Sequence, residues 1–497
     1  MKRLSSALRT SLSLGLTLVT LAGCGMVSPA RNLSYSATEV SRARARLEAS
    51  PTGLVPVILY EKDPRKLGDL VSAGLDVWGT DGTRVKGAMT REALARVEAM
   101  RLRIENLPET QNNFDKGYKT VAQMEADLRD LATRFPQLAR LEDFGDSWLK
   151  RQGKGGHDLW VLKIGKGDLA TKPAVIYMGN HHARELVTPE VVLNLAHLLL
   201  EKYGQDPEIT SYVDNRAIYL VPTVNPDGHL LAEKGADQRK NVNNVTGGKR
   251  RIGVDLNRNY GFKWGLPGAS DAPEADTFRG TEAFSEPETQ AIRDLVASRK
   301  FTFLMTYHSF SNLILWPWGH TADEPRDPRL AAIGRKLATF NKYTPQQSKD
   351  LYFTSGDTTD WAFGTFGTLS YTTEIGSWGD NFDPPFSRMG KFWDENRPGA
   401  LYLLKVADEP AAVFGPEVRS IQARDGQLEV QVPTGVQRVE AFTGRLGQPG
   451  TGLAVSVEGQ MARLSLPPSA LSGRQVVQVR AQGQDGRWGA PVAVWNR

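Results

Sequence analysis

The sequence predicts an α/β protein: a mostly parallel, mixed sheet with helices on both faces, preceded by a small α+β unit and followed by a small β-sandwich. Three observations predict it. From about residue 113 to 407, helical patterns alternate with short apolar runs, the rhythm of parallel strands joined by crossover helices. Between residues 54 and 107 the patterns follow the order β-α-β-β-α-β. From 414 to 497, short runs alternate apolar with polar residues between Gly/Pro-rich turns such as Gln448-Pro449-Gly450. A chain of 497 residues also exceeds what one core usually serves.

Residues 1–24 read as a processed leader. Lys2, Arg3 and Arg9 form a positive start, Ser11 to Thr20 is a short apolar stretch, and Leu21-Ala22-Gly23-Cys24 closes it with small residues. The stretch is too short to span a bilayer but suits a secretory signal. Leu-Ala-Gly-Cys resembles a bacterial lipobox, which implies acylation of Cys24 and anchoring on the outer side of the cell envelope, with simple secretion as the alternative. Residues 25–51 then read as a polar tether. Cys24 is the single cysteine, so an intramolecular disulfide is excluded and stability must come from packing.

In the unit 52–107, Val55 to Tyr60 is strand-like, and Asp63-Pro64 caps and opens a helix. Leu75–Trp78 and Arg84–Met89 flank the turn Thr80-Asp81-Gly82-Thr83 as a hairpin. Thr90 caps a second helix, and Leu102 to Glu105 is a last strand. That order predicts a ferredoxin-like fold. In the large domain, 113–408, Thr188-Pro189-Glu190 starts one helix and Ser285-x-x-Glu288 is a capping box for another. Ala174–Met178, Ala217–Val221, Phe303–Tyr307 and Leu369–Thr373 are the strand candidates, each ending where chemically able residues begin. Open α/β sheets bind ligands beyond the carboxyl ends of their strands. The last domain, 414–497, carries alternating strands at Glu429–Val432 and Val476–Arg480 and no catalytic constellation.

The candidate chemistry starts at Gly179-Asn180-His181-His182-Ala183-Arg184-Glu185. His182 and Glu185 are three apart, so on a helical turn both side chains emerge on one side. His308 follows the apolar run Phe301–Tyr307. Two imidazoles and one carboxylate, leaving a position for water, suit a single catalytic zinc ion. Glu374 ends another apolar run and offers a carboxylate outside that ligand set. His181 lacks a glutamate three residues on and reads as a bystander.

With Val254-Asp255-Leu256-Asn257-Arg258-Asn259, Tyr307-His308-Ser309, Tyr352, Ser355-Gly356 and Asp360-Trp361 in this order, the chain resembles the carboxypeptidase A family of zinc metallocarboxypeptidases from about 113 to 407. The lipobox adds a lipoprotein-type variant. The resemblance implies His182, Glu185 and His308 as zinc ligands, Glu374 as general base and Arg239 as oxyanion stabiliser. It implies Asn257 and Arg258 as holders of a substrate's terminal carboxylate, Tyr352 as the tyrosine that closes over it, Arg184 as added positive field, and Asp255 as the acceptor that orients His182. It also likens residues 52–107, more weakly, to an activation domain. A permanent structural domain is the open alternative.

Leu315, Gly319, Thr354, Thr359 and Thr372 map to the family's specificity pocket. Family members that prefer Lys or Arg carry an acid where Thr359 stands, so the resemblance implies aromatic or large aliphatic C-terminal residues. Asp357, two positions earlier, would admit Arg if it pointed into the pocket and otherwise caps a turn. Three functions compete: an exopeptidase acting on peptide or protein C-termini, a zinc endopeptidase or amidase of cell-wall peptides, and a non-catalytic envelope binding protein. Gripping a free carboxylate favours the first, and an intact set of ligands and base disfavours the last. The net charge is only +5, with no basic cluster interleaved with aromatics, so nucleic acid is not an expected partner. A monomer is expected.

Overall fold

The structure, a computed structural model, describes residues 34–109, 113–424, 426–467 and 475–496. Cys24 and the leader lie outside them, as do residues 110–112 of the linker (108–113) that joins the first unit to the large domain. No helix among the described residues is long and apolar enough to cross a membrane.

The first sheet holds β1 (Val55–Tyr60), β2 (Leu75–Thr80), β3 (Val85–Met89) and β4 (Arg103–Asn106) in the order β2-β3-β1-β4, with every pair antiparallel. Its turn is set locally. Asp81 accepts hydrogen bonds from the Thr83 and Arg84 amides, and Gly82 takes φ +85°, which suits a residue without Cβ. Asp63 and Thr90 cap the two helices as expected. The expected tether is different in its second half. Residues Ala37–Ala49 form a helix whose Val40, Ala43 and Leu47 are buried in the core of this first unit. Three small apolar side chains at helical spacing suffice because the sheet supplies the rest of the apolar surface.

The central sheet has eight strands: β5 (Ala139–Asp146), β6 (Asp158–Ile164), β7 (Ala174–Met178), β8 (Ala217–Val221), β9 (Phe303–His308), β10 (Leu313–Trp316), β11 (Thr344–Gln347) and β12 (Leu369–Glu374). Their order is β11-β10-β12-β9-β7-β8-β6-β5. The middle four, β12, β9, β7 and β8, are mutually parallel, while β10 and β6 run against them. Side chains of β7 alternate between two cores. Val175 and Tyr177 pack with the helices Val187–Glu201 and Met389–Lys405, whereas Ala174, Ile176 and Met178 pack toward Pro287–Ala297 and Thr358–Phe366. Burial on both faces is why these strands read as unbroken apolar runs.

Two helix starts differ from expectation. The helix Val187–Glu201 begins before Thr188, whose hydroxyl instead donates to the Glu185 carbonyl and accepts from the Asn180 amide. The second helix begins at Pro287, and Ser285 donates to the Glu286 carboxylate, so no capping box forms. Proline at the first helical position fixes that start without one.

The last unit is two antiparallel sheets, with β13 (Ser420–Arg424), β14 (Gln427–Gln431) and β17 (Met461–Ser465) in one and β15 (Val436–Thr443), β16 (Leu453–Ser456), β18 (Val476–Gly483) and β19 (Val492–Trp495) in the other. Leu428, Val430, Leu464, Val439, Val477 and Val479 fill the space between them.

Candidate metal centre

Strand order builds the site. β12 lies parallel to β9 with Glu374 in register with His308, and β9 lies beside β7, whose carboxyl end runs into the turn carrying His182 and Glu185. The Glu185 amide donates to the His182 carbonyl at 3.2 Å, closing a single helical turn that puts both side chains on one side. Asn180, at φ +58°, pins the turn through its amide group to the His182 and Ala183 carbonyls.

The three expected ligands meet. Glu185 Oε1 is 2.7 Å from His182 Nδ1, Glu185 Oε2 is 3.1 Å from His308 Nδ1, and the two Nδ1 atoms are 3.1 Å apart. All three residues are buried, and Glu185 Oε2 has no hydrogen-bond partner. A buried carboxylate whose two oxygens each lie against an imidazole nitrogen suits a divalent cation, and nitrogen and oxygen donors in this ratio suit zinc. Burial would raise the Glu185 carboxyl, but the adjacent imidazoles hold it well below the usual range. It is therefore ready as an anionic ligand.

The far nitrogens are also held. Asp255 Oδ1 is 3.2 Å from His182 Nε2, while Asp255 Oδ2 accepts from Arg239 Nε and Nη2 at 3.1 and 2.8 Å. Burial opposes the charge on Asp255, but Arg239 and Arg258 hold its carboxyl well below the ordinary value. An anionic acceptor there fixes which His182 nitrogen faces the cation.

One cavity, of ≈ 40 Å³, is lined by His182, Glu185, His308, Glu374, Arg239, Asn257, Arg258 and Tyr352 together with Val77, Trp78 and Gly79 of the first unit. Burial and the Glu185 charge push the Glu374 carboxyl well up, against the pull of Arg239 and Arg258. A bound dication would reverse that balance and favour the carboxylate. Arg258 donates to the Tyr352 hydroxyl at 3.1 Å, and its buried Nε has no partner.

Arg184 does not line the cavity. Its fully buried guanidinium donates to Asp76 of the first unit at 2.6 Å and to Asp237 at 3.2 Å. Asp76 Oδ1 also lies 3.6 Å from Arg239 Nη1. The sequence reading missed Asp76. A charged residue inside the apolar run Leu75 to Trp78 was the available signal, because a buried carboxylate needs a partner.

The residues expected to line a specificity pocket are placed in two groups, one on β10 and β12 and one around Asp357. Leu315 and Thr372 are cross-strand partners, and a Cβ on Gly319 would meet Thr354 Oγ1 at 2.2 Å. Asp357 caps the helix Thr358–Phe366 by accepting from the Asp360 amide, and it also accepts from the hydroxyls of Thr354 and Thr359, each at 2.8 Å. Thr359 is thereby turned toward Asp357.

Comparison with known proteins gives one answer. A family model described as zinc carboxypeptidase matches residues 124–399. The chain is 28% identical over 338 residues to a zinc carboxypeptidase of Saccharothrix mutabilis subsp. capreolus, a match covering 61% of this chain and 76% of the relative. It is 33% identical over 273 residues to a carboxypeptidase B of Astacus astacus, covering 52% and 86% respectively. Its fold matches the crystal structure of carboxypeptidase A from Helicoverpa armigera with a TM-score of 0.60 at 24% identity, over 72% of this chain and 97% of that one.

Proposed function

This chain belongs to the zinc carboxypeptidase family of metal-dependent exopeptidases, and we propose that it removes aromatic or large aliphatic residues from free peptide C-termini, with residues 52–107 holding it latent. The observation that carries the reading is one cavity in which two imidazoles and a carboxylate converge beside Glu374, Asn257 and Arg258. His182, Glu185 and His308 would hold one zinc ion, which supplies Lewis-acid pull on the scissile carbonyl and makes water nucleophilic near neutral pH. Glu374 takes the attacking water's proton and returns it to the leaving amine. Arg239 faces the oxygen on which negative charge develops. Asn257 and Arg258 grip the terminal carboxylate, with Tyr352 closing over it.

Asp357 supports the apolar preference, since its carboxylate is occupied by one amide and two hydroxyls. Latency is supported by Val77, Trp78 and Gly79 in the cavity wall. A volume of ≈ 40 Å³ is far below the roughly 300 Å³ at which ligand pockets begin. Anchoring to a membrane through an acylated Cys24 belongs to the same proposal. A mature N-terminus shown by mass spectrometry to lack that lipid would leave a secreted enzyme.

The test uses blocked dipeptides ending in Phe, Leu, Arg or Glu, with free or amidated C-termini. Turnover should require the free carboxylate, favour Phe and Leu, and stop with a chelator. Glu374→Gln should lower kcat by about 10²- to 10⁴-fold with zinc content kept. Equal rates on amidated peptides would replace the exopeptidase with an endopeptidase or amidase.

A further inference from the structure

His181, next to the ligand His182, is fully buried and makes polar contacts from both ring nitrogens. Its Nδ1 is 3.2 Å from Thr306 Oγ1, which in turn is 3.1 Å from His308 Nε2. Its Nε2 is 2.9 Å from the Tyr260 hydroxyl and 3.2 Å from Thr358 Oγ1. Thr358 then donates to Asn257 Oδ1 at 2.8 Å, and its amide donates to the same oxygen at 2.9 Å. The imidazole also stacks on that of His308, 5.6 Å between centroids at 20°.

We propose that His181 is a positioning residue that joins the zinc ligand His308 to the carboxylate holder Asn257 through the hydroxyls of Thr306 and Thr358. The inference rests on the roles given to His308 and Asn257 above. Its direction follows from donor counting. His308 turns Nδ1 toward the cation, so Nε2 carries the hydrogen and donates to Thr306 Oγ1. The Thr306 hydroxyl then donates to His181 Nδ1, which leaves the hydrogen of His181 on Nε2, facing Tyr260 and Thr358. Thr358 donates onward to Asn257 Oδ1. With that oxygen committed, the Asn257 NH₂ is the end left for a substrate carboxylate in the cavity it lines. One buried ring thus buttresses both the hydroxyl that accepts from a zinc ligand and the hydroxyl that donates to a substrate-binding amide. An apolar side chain of similar size would fill the space and do neither.

Near-isosteric variants test the two arms in the full-length holoenzyme. Thr306→Val should loosen zinc about tenfold against a competing chelator while KM for a free-carboxylate dipeptide stays within twofold. Thr358→Val should raise KM about fivefold with zinc affinity kept. His181→Leu should do both. If both valine variants keep zinc affinity and KM within twofold, while His308→Ala loses zinc and Asn257→Ala raises KM, the relay is overturned and the assigned ligand and carboxylate holder stand. If His308→Ala keeps its zinc, both readings fall. A His181→Leu protein altered only in melting temperature also overturns the relay.

Discussion

Both flanking units are built on antiparallel sheets, and both meet the catalytic body through arginine–acid contacts, yet they meet opposite kinds of surface. The first unit places Asp76 against Arg184 and Arg239 and Trp78 into the cavity wall. The Thr80 amide donates to the Ser311 hydroxyl, and Lys86 donates to the Trp378 carbonyl and Asn381. Every one of these body residues follows the carboxyl end of a central strand. The last unit instead binds the helix Pro207–Asn215, through Gln478 with Ser211 and the Leu446 amide with Asn215, while Arg480 lies 3.8 Å from Asp408. Strand ends carry the chemistry in this fold, so position on the body decides what a flanking unit can control.

The sharpest way to break that contrast is Asp76→Ala. Removing one partner of a buried ion pair costs about 3–5 kcal/mol, and here the loss falls on the closed arrangement. The uncut chain should gain about 10²- to 10³-fold in kcat/KM, up to the level of protein cleaved in the linker. No change in rate would mean that the first unit does not restrain turnover. Arg480→Ala removes the partner of Glu440 inside the last sandwich, both groups being fully buried. It should cost about 3–5 kcal/mol of stability and leave kcat/KM unaltered below the melting transition. A change in rate there would erase the distinction between the units. The smallest effect is expected from Gly79→Ala, whose added Cβ would stand 2.6 Å from the Phe310 ring and 2.8 Å from Ser311 Oγ. Crowding of this kind costs about 1–2 kcal/mol, so basal activity should rise about tenfold. Reduced activity would show that the unit seats more tightly instead.

What was legible in the sequence tracks how local its cause is. The four middle strands could be read because burial on both faces leaves unbroken apolar runs, and their ends marked His308 and Glu374. His182 and Glu185 were legible because one turn joins them. The helix Ala37–Ala49 was not, since its stripe of Val40, Ala43 and Leu47 is thin among arginines and glutamates. The capping box was misread because Pro287 sets the helix start by itself. Asp76 and His181 escaped for a different reason. Their partners come from distant segments, and no spacing along the chain encodes an ion pair or hydrogen bond that exists only after the sheet has closed.

Asp76 has one more consequence, in the order of assembly. Arg184 lies 108 residues further along the chain, and Arg239 further still. A ribosome therefore completes the first unit's four strands well before either guanidinium exists. During that interval the carboxylate has the Trp78 indole as its partner within the unit, and its two buried arginine contacts form only when the catalytic body folds against it.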